Sequence, residues 1–390
     1  MSDSGGESSS GTGGGLLPCP PSEEWTTVIA EVDAVVAVGV DPVVDTVYAL
    51  GTFTSGATDD VWLGAYDSSS GALLWTTVLD PTAGGVLDIN ETAFGLGVHP
   101  SGDPIIFFER DDPSAPYGLM RVDPIAITVS WAVTMGLTDI APNTIGLSSP
   151  SMAVSPGGSI FMSGRSIYMG AGELGFADTA LWVARFADVD GASMWLTELP
   201  IINGETVWQV PRVLAADEAT GVFMGQESTG VGPFSSTLYR FSFAGALEQV
   251  VSTYVGFSQP PVFRDLAQDA AGNLVFTYTD VGFPATEVFV ERRNAMLAQQ
   301  SVGVDSEPPI EIPHAIAVDP AGTALVVGRQ DDVNAWARAF DPAGGLLWYL
   351  SWAEPGNNQF LDVATQPDTS WVVSGFLGAE GLLRKYGACE

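Results

Sequence analysis

The residues best suited to chemistry in this chain are three pairs of adjacent aspartates: Asp59-Asp60, Asp111-Asp112 and Asp331-Asp332. Each pair falls in a loop between the second and third β-rich runs of a repeating unit, and Asp139 and Asp305 fall in the connections between units. Carboxylate oxygens at this density suit a hard cation, and calcium is the ion that Asp59, Asp60, Asp331 and Asp332 would take. Paired carboxylates are also what glycoside cleavage needs, one as acid and one as base or nucleophile. Neither use is fixed by spacing, because no Asp-x-Asp-x-Asp-Gly loop occurs. His99 and His314 are the two histidines, far apart in sequence and short of a zinc set. No Gly-x-Ser-x-Gly elbow is present. No catalytic residue is therefore assigned.

Two longer polar stretches could carry a contact surface. Residues 165–178 (RSIYMGAGELGFAD) include Tyr168, Met169 and Phe176, and residues 227–236 form the second. Apolar side chains in a long loop mark a ligand or partner contact. The expected ligand-binding residues are thus Asp59, Asp60, Asp111, Asp112, Tyr168, Phe176, Asp331 and Asp332.

Composition narrows the partners. The 390 residues carry 47 acids against 13 bases, a net charge of −34, and Lys385 is the one lysine. Such a field repels phosphate backbones and anionic lipid surfaces, which excludes nucleic acid as a partner. No run of 18 apolar residues occurs, so no transmembrane helix is expected. Residues 2–15 (SDSGGESSSGTGGG) lack the charged start and apolar stretch of a signal peptide. They read as a flexible linker over residues 1–18. A polar tether of this kind is similar to the segment after the lipid-bearing cysteine of a bacterial lipoprotein, with Met1 in the cysteine's place.

The elements that position these residues repeat. A hydrophobic strand ends in a turn at Val40-Asp41-Pro42, Val98-His99-Pro100, Val154-Ser155-Pro156, Ala216-Asp217-Glu218, Gln268-Asp269-Ala270, Val318-Asp319-Pro320 and Thr365-Gln366-Pro367. The middle residues step by 58, 56, 62, 52, 50 and 47 positions. A second β-rich run follows each turn: 46–51, 104–108, 159–164, 222–225, 273–278, 324–328 and 370–375. A third strand then leads into a tight Asp/Gly turn and a fourth strand that opens at Trp75, Trp131, Trp195 or Trp348. In two units that place falls to Leu247-Glu248 and Leu297-Ala298. No sustained 3.6-residue period appears, so helix is not expected. Four strands per unit and seven units predict an all-β, seven-bladed β-propeller of four-stranded antiparallel blades over residues 19–390.

The seventh unit stops after three strands. An orphan strand, Glu24-Trp25-Thr26-Thr27-Val28-Ile29, nearly repeats Leu74-Trp75-Thr76-Thr77-Val78-Leu79. It should complete the last blade and close the ring, since an open ring would expose strand edges. Cys19 and Cys389 would then lie where other blades have a covalent turn, within reach of a disulfide. That placement argues for an oxidising compartment.

The phrase Ala339-Phe340-Asp341-Pro342-Ala343-Gly344-Gly345-Leu346-Leu347-Trp348, with its partner Ala65–Trp75, resembles the bacterial β-propeller repeats of secreted and lipoprotein-like proteins, sometimes called SBBP repeats. The likeness is best over 63–75 and 316–348, fair over 182–195, and slight over 240–300. It implies a propeller outside the cytoplasm and no particular activity. The same phrase is similar to the tryptophan-docking repeat of pyrroloquinoline-quinone dehydrogenases, which implies tryptophan packing between blades; the quinone-site cysteine pair of that family is missing. The expected function is a non-catalytic, extracytoplasmic binding or scaffold module that meets a protein or glycan at the cell surface through an acidic loop face. The alternative is a hydrolase or lyase acting on polysaccharide with carboxylates at the channel mouth.

Overall fold

A computed structural model describes residues 21–55, 58–79, 90–136, 144–168, 178–199, 207–230, 234–256, 262–280, 287–305, 311–330, 334–352 and 357–387. Among them are seven four-stranded antiparallel sheets and no helix. Each sheet is one blade: 35–79, 91–135, 144–198, 207–256, 262–305, 311–352, and a seventh of 358–386 completed by strand Glu23–Ile29. The chain is a seven-bladed β-propeller.

The first strand of each blade is innermost, because first strands of neighbouring blades contact one another. In a four-strand meander the first and third turns share one end of the ring. The second turns and the connections between blades share the other. Side-chain alternation makes each blade apolar on both faces, so neighbouring blades bury a common layer (Tyr48, Leu63 and Ile106 between blades one and two, for example). Trp62, Trp182 and Trp336 occupy the same place in three third strands and are fully buried.

Closure follows the sequence expectation. Strand Glu23–Ile29 pairs with Glu380–Tyr386, Trp25 opposite Lys385 and Val28 opposite Leu382. Gly387 N–H donates to the Ser22 carbonyl at 2.9 Å, extending the pairing past the strand end. Glu24 meets Lys385 at 3.0 Å across the same pair. Cys19 and Cys389, and with them the expected disulfide, lie outside the described residues.

The repeated tryptophan joins blades. Trp25 Nε1 donates to the Ser68 carbonyl in the fourth-strand turn of blade one, at 2.9 Å. Trp131 does the same to Asp188 in blade three at 2.9 Å, and Trp195 to Phe243 in blade four at 3.3 Å. The turn glycine lies under the indole: a Cβ on Gly71, Gly191 or Gly245 would come within 2.7, 2.7 or 2.8 Å of the ring, and each has positive φ. The degraded units keep the contact with other residues. Gln249 Nε2 donates to Met296 O at 2.9 Å, and Ser301 Oγ to Pro342 O at 2.9 Å. The tryptophan place thus falls at Gln249 and Ser301, four residues after the turn residue of positive φ, and not at Leu247-Glu248 or Leu297-Ala298.

Ile127 and Leu297 stand in that glycine's place with φ of 54° and 56°, and Thr369, in the first turn of blade seven, has φ of 67°. Non-glycine residues pay about 1–2 kcal/mol for this conformation. Thr369→Gly is therefore expected to raise the denaturant midpoint, by about 1 kcal/mol of stability. Gly191→Ala should lower stability by about 2 kcal/mol or more, because φ and the Trp131 ring both oppose a methyl group. Equilibrium urea unfolding of the two variants checks both signs. Intact mass without reductant should fall two hydrogens below the reduced chain if Cys19 and Cys389 are joined.

Candidate functional site

The inner strands share an irregularity that sets the character of the channel. Each is bulged near its middle, at Val36, Phe94, Ser149-Pro150, Arg212, Arg264, His314 and Leu361. A bulged residue has no opposite number on the partner strand and is re-aimed out of the pleat. The second strand accommodates the displaced backbone with glycine. A Cβ on Gly328 would lie 2.1 Å from the Ile312 carbonyl, and one on Gly375 would lie 1.9 Å from the Gln359 carbonyl.

Five of them, Val36, Phe94, Arg264, His314 and Leu361, line a cavity of about 310 Å³ in mid-channel. Val36, Phe94 and Leu361 come from three consecutive blades, backed by Phe107 and Met152. Arg264, Asp265, His314 and Asp362 complete the lining. The channel widens toward the first-turn end into a mouth of about 830 Å³, lined by Leu96, Val154, Leu266, Val363 and residues of the turns.

Asp265 and Asp362 follow the bulges of blades five and seven and join inner strands. Asp265 Oδ2 accepts from Ile316 N–H of blade six at 2.8 Å, and its Oδ1 from Leu266 N–H at 2.8 Å. Asp362 Oδ2 accepts from Val38 N–H of blade one at 2.9 Å, and its Oδ1 from Val363 N–H at 2.8 Å. Burial outweighs these bonds and pushes Asp265 up to about 7, with the Asp362 charge adding to the rise. Burial likewise pushes Asp362 up to about 6. His314 moves the other way, to about 4, through burial and the guanidiniums of Arg329 and Arg264. It is a neutral imidazole at pH 7, and its buried Nε2 has no hydrogen-bond partner among the described residues.

The acids singled out in the sequence lie at the opposite end. Asp59 and Asp60 are not in a loop: they belong to the third strand Thr58–Asp67, opposite Thr54 and Phe53, because the pairing runs on as far as Ser55 opposite Thr58. Asp59 Oδ1 accepts from Thr54 Oγ1 at 2.7 Å, and its N–H donates to Asn90 Oδ1 at 3.1 Å. Asn90 also donates from Nδ2 to Asp111 Oδ2 at 2.7 Å and accepts from Asp111 N–H at 3.1 Å. Asn90 therefore joins the acid pairs of blades one and two. Asp112 accepts from Ser114 N–H and Oγ–H, which hold its carboxyl below the usual range. Tyr168 ends strand Ile160–Tyr168, opposite Asp178. Phe176, Asp331 and Asp332 lie outside the described residues, and so does Asp139; Asp305 ends strand Gln299–Asp305. Among the described residues no three His, Cys, Asp or Glu side chains converge on a metal position. His99 is engaged, with Ser101 Oγ 2.6 Å from its Nδ1 and Asp188 3.5 Å from its Nε2.

Comparisons with known proteins bear on the fold. No protein-family model matches the sequence, and no curated protein matches it. Among solved structures 432 chains match. One is Raptor from Chaetomium thermophilum, at TM-score 0.58 and 9% identity, over 93% of this chain and 29% of that one. The chain thus spans less than a third of Raptor's length.

The channel carboxylates yield a pH prediction. Their pKa values are raised from 3.8 on folding, so the folded state binds protons that the unfolded chain releases between about pH 4 and 7. Their contribution to stability is complete below pH 4 and is lost as pH rises, by up to about 1.4 kcal/mol per pH unit for each group. Asp265→Asn should flatten this slope, so the variant gains on the unsubstituted protein between pH 4 and 7. Thermal unfolding across that range is the measurement; parallel curves would contradict the assignment.

Proposed function

We propose that this propeller is a binding and scaffold module that acts outside the cytoplasm and meets a protein or glycan partner through its acidic second-turn end. The observation that carries this is the Asn90 bridge. It sets Asp59 and Asp111 of neighbouring blades side by side and holds them by hydrogen bonds, so an acidic surface is preorganised across a blade boundary. Charge distribution supports it. Arginines are drawn inward to carboxylates, as with Arg338 and Glu311, Arg293 and Glu291, and Arg110 and Glu91, leaving few cations to neutralise the rims. A partner with clustered positive charge is the complement. The extracytoplasmic setting is supported by the placement of Cys19 and Cys389 and by the resemblance of the repeat phrase.

A second reading, polysaccharide cleavage, draws on Asp265 and Asp362, whose raised pKa values are of the kind an acid catalyst needs. Against it, both oxygens of each carboxylate already accept backbone N–H bonds.

The test is a glycan array and a panel of basic peptides, probed with the full chain, with Asp111→Asn/Asp112→Asn, and with Asp188→Asn/Asp190→Asn. The last pair changes charge equally on a turn at the other end. Binding that falls at least about tenfold for the first pair, and little for the second, supports the acidic end as the contact. Equal losses, or no binding to any probe, count against it.

A further inference from the structure

We propose that Ser101, His99 and Asp188 form a nucleophile, base and acid that hydrolyse small uncharged esters beside the channel mouth, an activity separate from binding at the acidic end. His99 opens the first turn of blade two, a place held by Asp41, Asp217, Asp269 and Asp319 in four other blades. In three of those the carboxylate accepts the N–H two residues on, from Val43 at 2.7 Å, Ala219 at 2.8 Å and Ala271 at 3.0 Å. His99 does the same through Nδ1, which accepts from Ser101 N–H at 3.1 Å. In the neutral ring Nδ1 therefore carries no proton, and the one ring proton sits on Nε2. Ser101 Oγ lies 2.6 Å from the same Nδ1, so its hydroxyl donates to a base. The turn thus presents an exposed serine bonded to an imidazole.

The junction between blades two and three supplies the acid. Asp188, in the third turn of blade three, lies 3.5 Å from His99 Nε2, a separation at which its carboxylate acts on the ring by charge. The Asp188 carbonyl accepts from Trp131 Nε1 at 2.9 Å and from Arg121 Nη1 at 2.8 Å. The contact that joins the blades therefore also holds this carboxylate against the histidine. Gly158 leaves room for the ring, since a Cβ there would lie 2.2 Å from Nε2. The charged groups facing the imidazole are Arg121, Asp188 and Asp103; burial and Arg121 lower its pKa, so it is a free base at pH 7. Arg121 Nη2 donates to Ser101 Oγ at 3.0 Å while paired with Asp103, and it stands where an oxygen gains charge during acyl transfer.

In the proposed step Ser101 Oγ bonds to the ester carbonyl carbon as its proton passes to His99 Nδ1. The bond to the alcohol oxygen breaks, and His99 returns the proton to that oxygen. Water then attacks the acyl-serine by the same route, releasing a carboxylic acid and restoring the hydroxyl. Val98 and Pro156, next to His99 and Gly157, line the wide mouth, whose walls at Leu96 and Val154 give an acyl chain an apolar rest. Asp103 and Asp188 stand at the site, so an uncharged ester fits better than an anionic one.

Hydrolysis of p-nitrophenyl butyrate by the full chain, with mass mapping of a fluorophosphonate label, tests this directly. The label should fall on Ser101. Ser101→Ala, checked for folding by circular dichroism, should lose at least about a hundredfold in kcat/KM. His99→Asp keeps the turn chemistry of the other blades and should lose about as much. Asp188→Asn should lose about tenfold, and its acid limb should move to lower pH, because the Asp188 charge raises the His99 pKa. An unmoved limb would overturn the role given to Asp188, since a carboxylate that only supports the fold leaves it in place. Hydrolysis no faster than in buffer, a label on another residue, or activity unchanged in folded Ser101→Ala would overturn the proposal.

Discussion

The ring depends on one recurring contact: a side-chain N–H or O–H on the outer strand of one blade donates to a backbone carbonyl in the outer turn of the next. Propeller blades touch only their neighbours, so stability is set by the junctions as much as by the sheets. An indole suits the junction because its large apolar face packs while its one polar atom still finds a partner. Where Gln249 or Ser301 replaces it, the hydrogen bond remains and the ring face is lost. Those junctions belong to blades four and five, where the repeat phrase is hardest to see.

A second set of contacts works at the inner circumference. At the junction between blades seven and one, Asp362 reaches the Val38 N–H inside while Trp25 reaches Ser68 outside. The closing seam, which no peptide bond crosses within blade seven, is held outside by the pairing of Glu23–Ile29 with Glu380–Tyr386 and inside by the bond from Val38 to Asp362. Between blades five and six, Asp265 gives inner support where the outer contact is only Ser301. Strength missing at one radius is matched by a bond at the other.

Blade number, strand order and closure were all legible in the sequence, because turn chemistry and the tryptophan phrase recur at a blade-sized interval of 47 to 62 residues. The role of the acid pairs was legible only in part. The sequence placed Asp59-Asp60 in a loop because two polar residues broke a hydrophobic run, yet cross-strand pairing with Phe53 and Thr54 carries the strand through them. Asn90, which unites the two acidic pairs, has no signature, since its partners come from different blades. The channel residues were missed for another reason. A bulge is one extra residue in an otherwise alternating strand, and alternation alone does not reveal it. The signal lay across the hairpin: second-strand runs ending at Gly51, Gly225, Gly328 and Gly375 record where displaced inner backbone presses in.

The interlocked seventh blade has a consequence for how the molecule is made. Strand Glu23–Ile29 is synthesised before every other strand of the ring, and its partner Glu380–Tyr386 after all of them. The six intervening blades can assemble as they emerge, each handing its open face to the next. The first strand must wait, unpaired, until the last strand of the ring has been made. Its exposed surface includes Trp25 and Ile29, so the growing chain carries an adhesive end that only its own completion can cover. Ring closure is then the last step in assembling the blades. A truncated product would differ from the finished protein by more than its missing strands, for it would keep that end open to other chains.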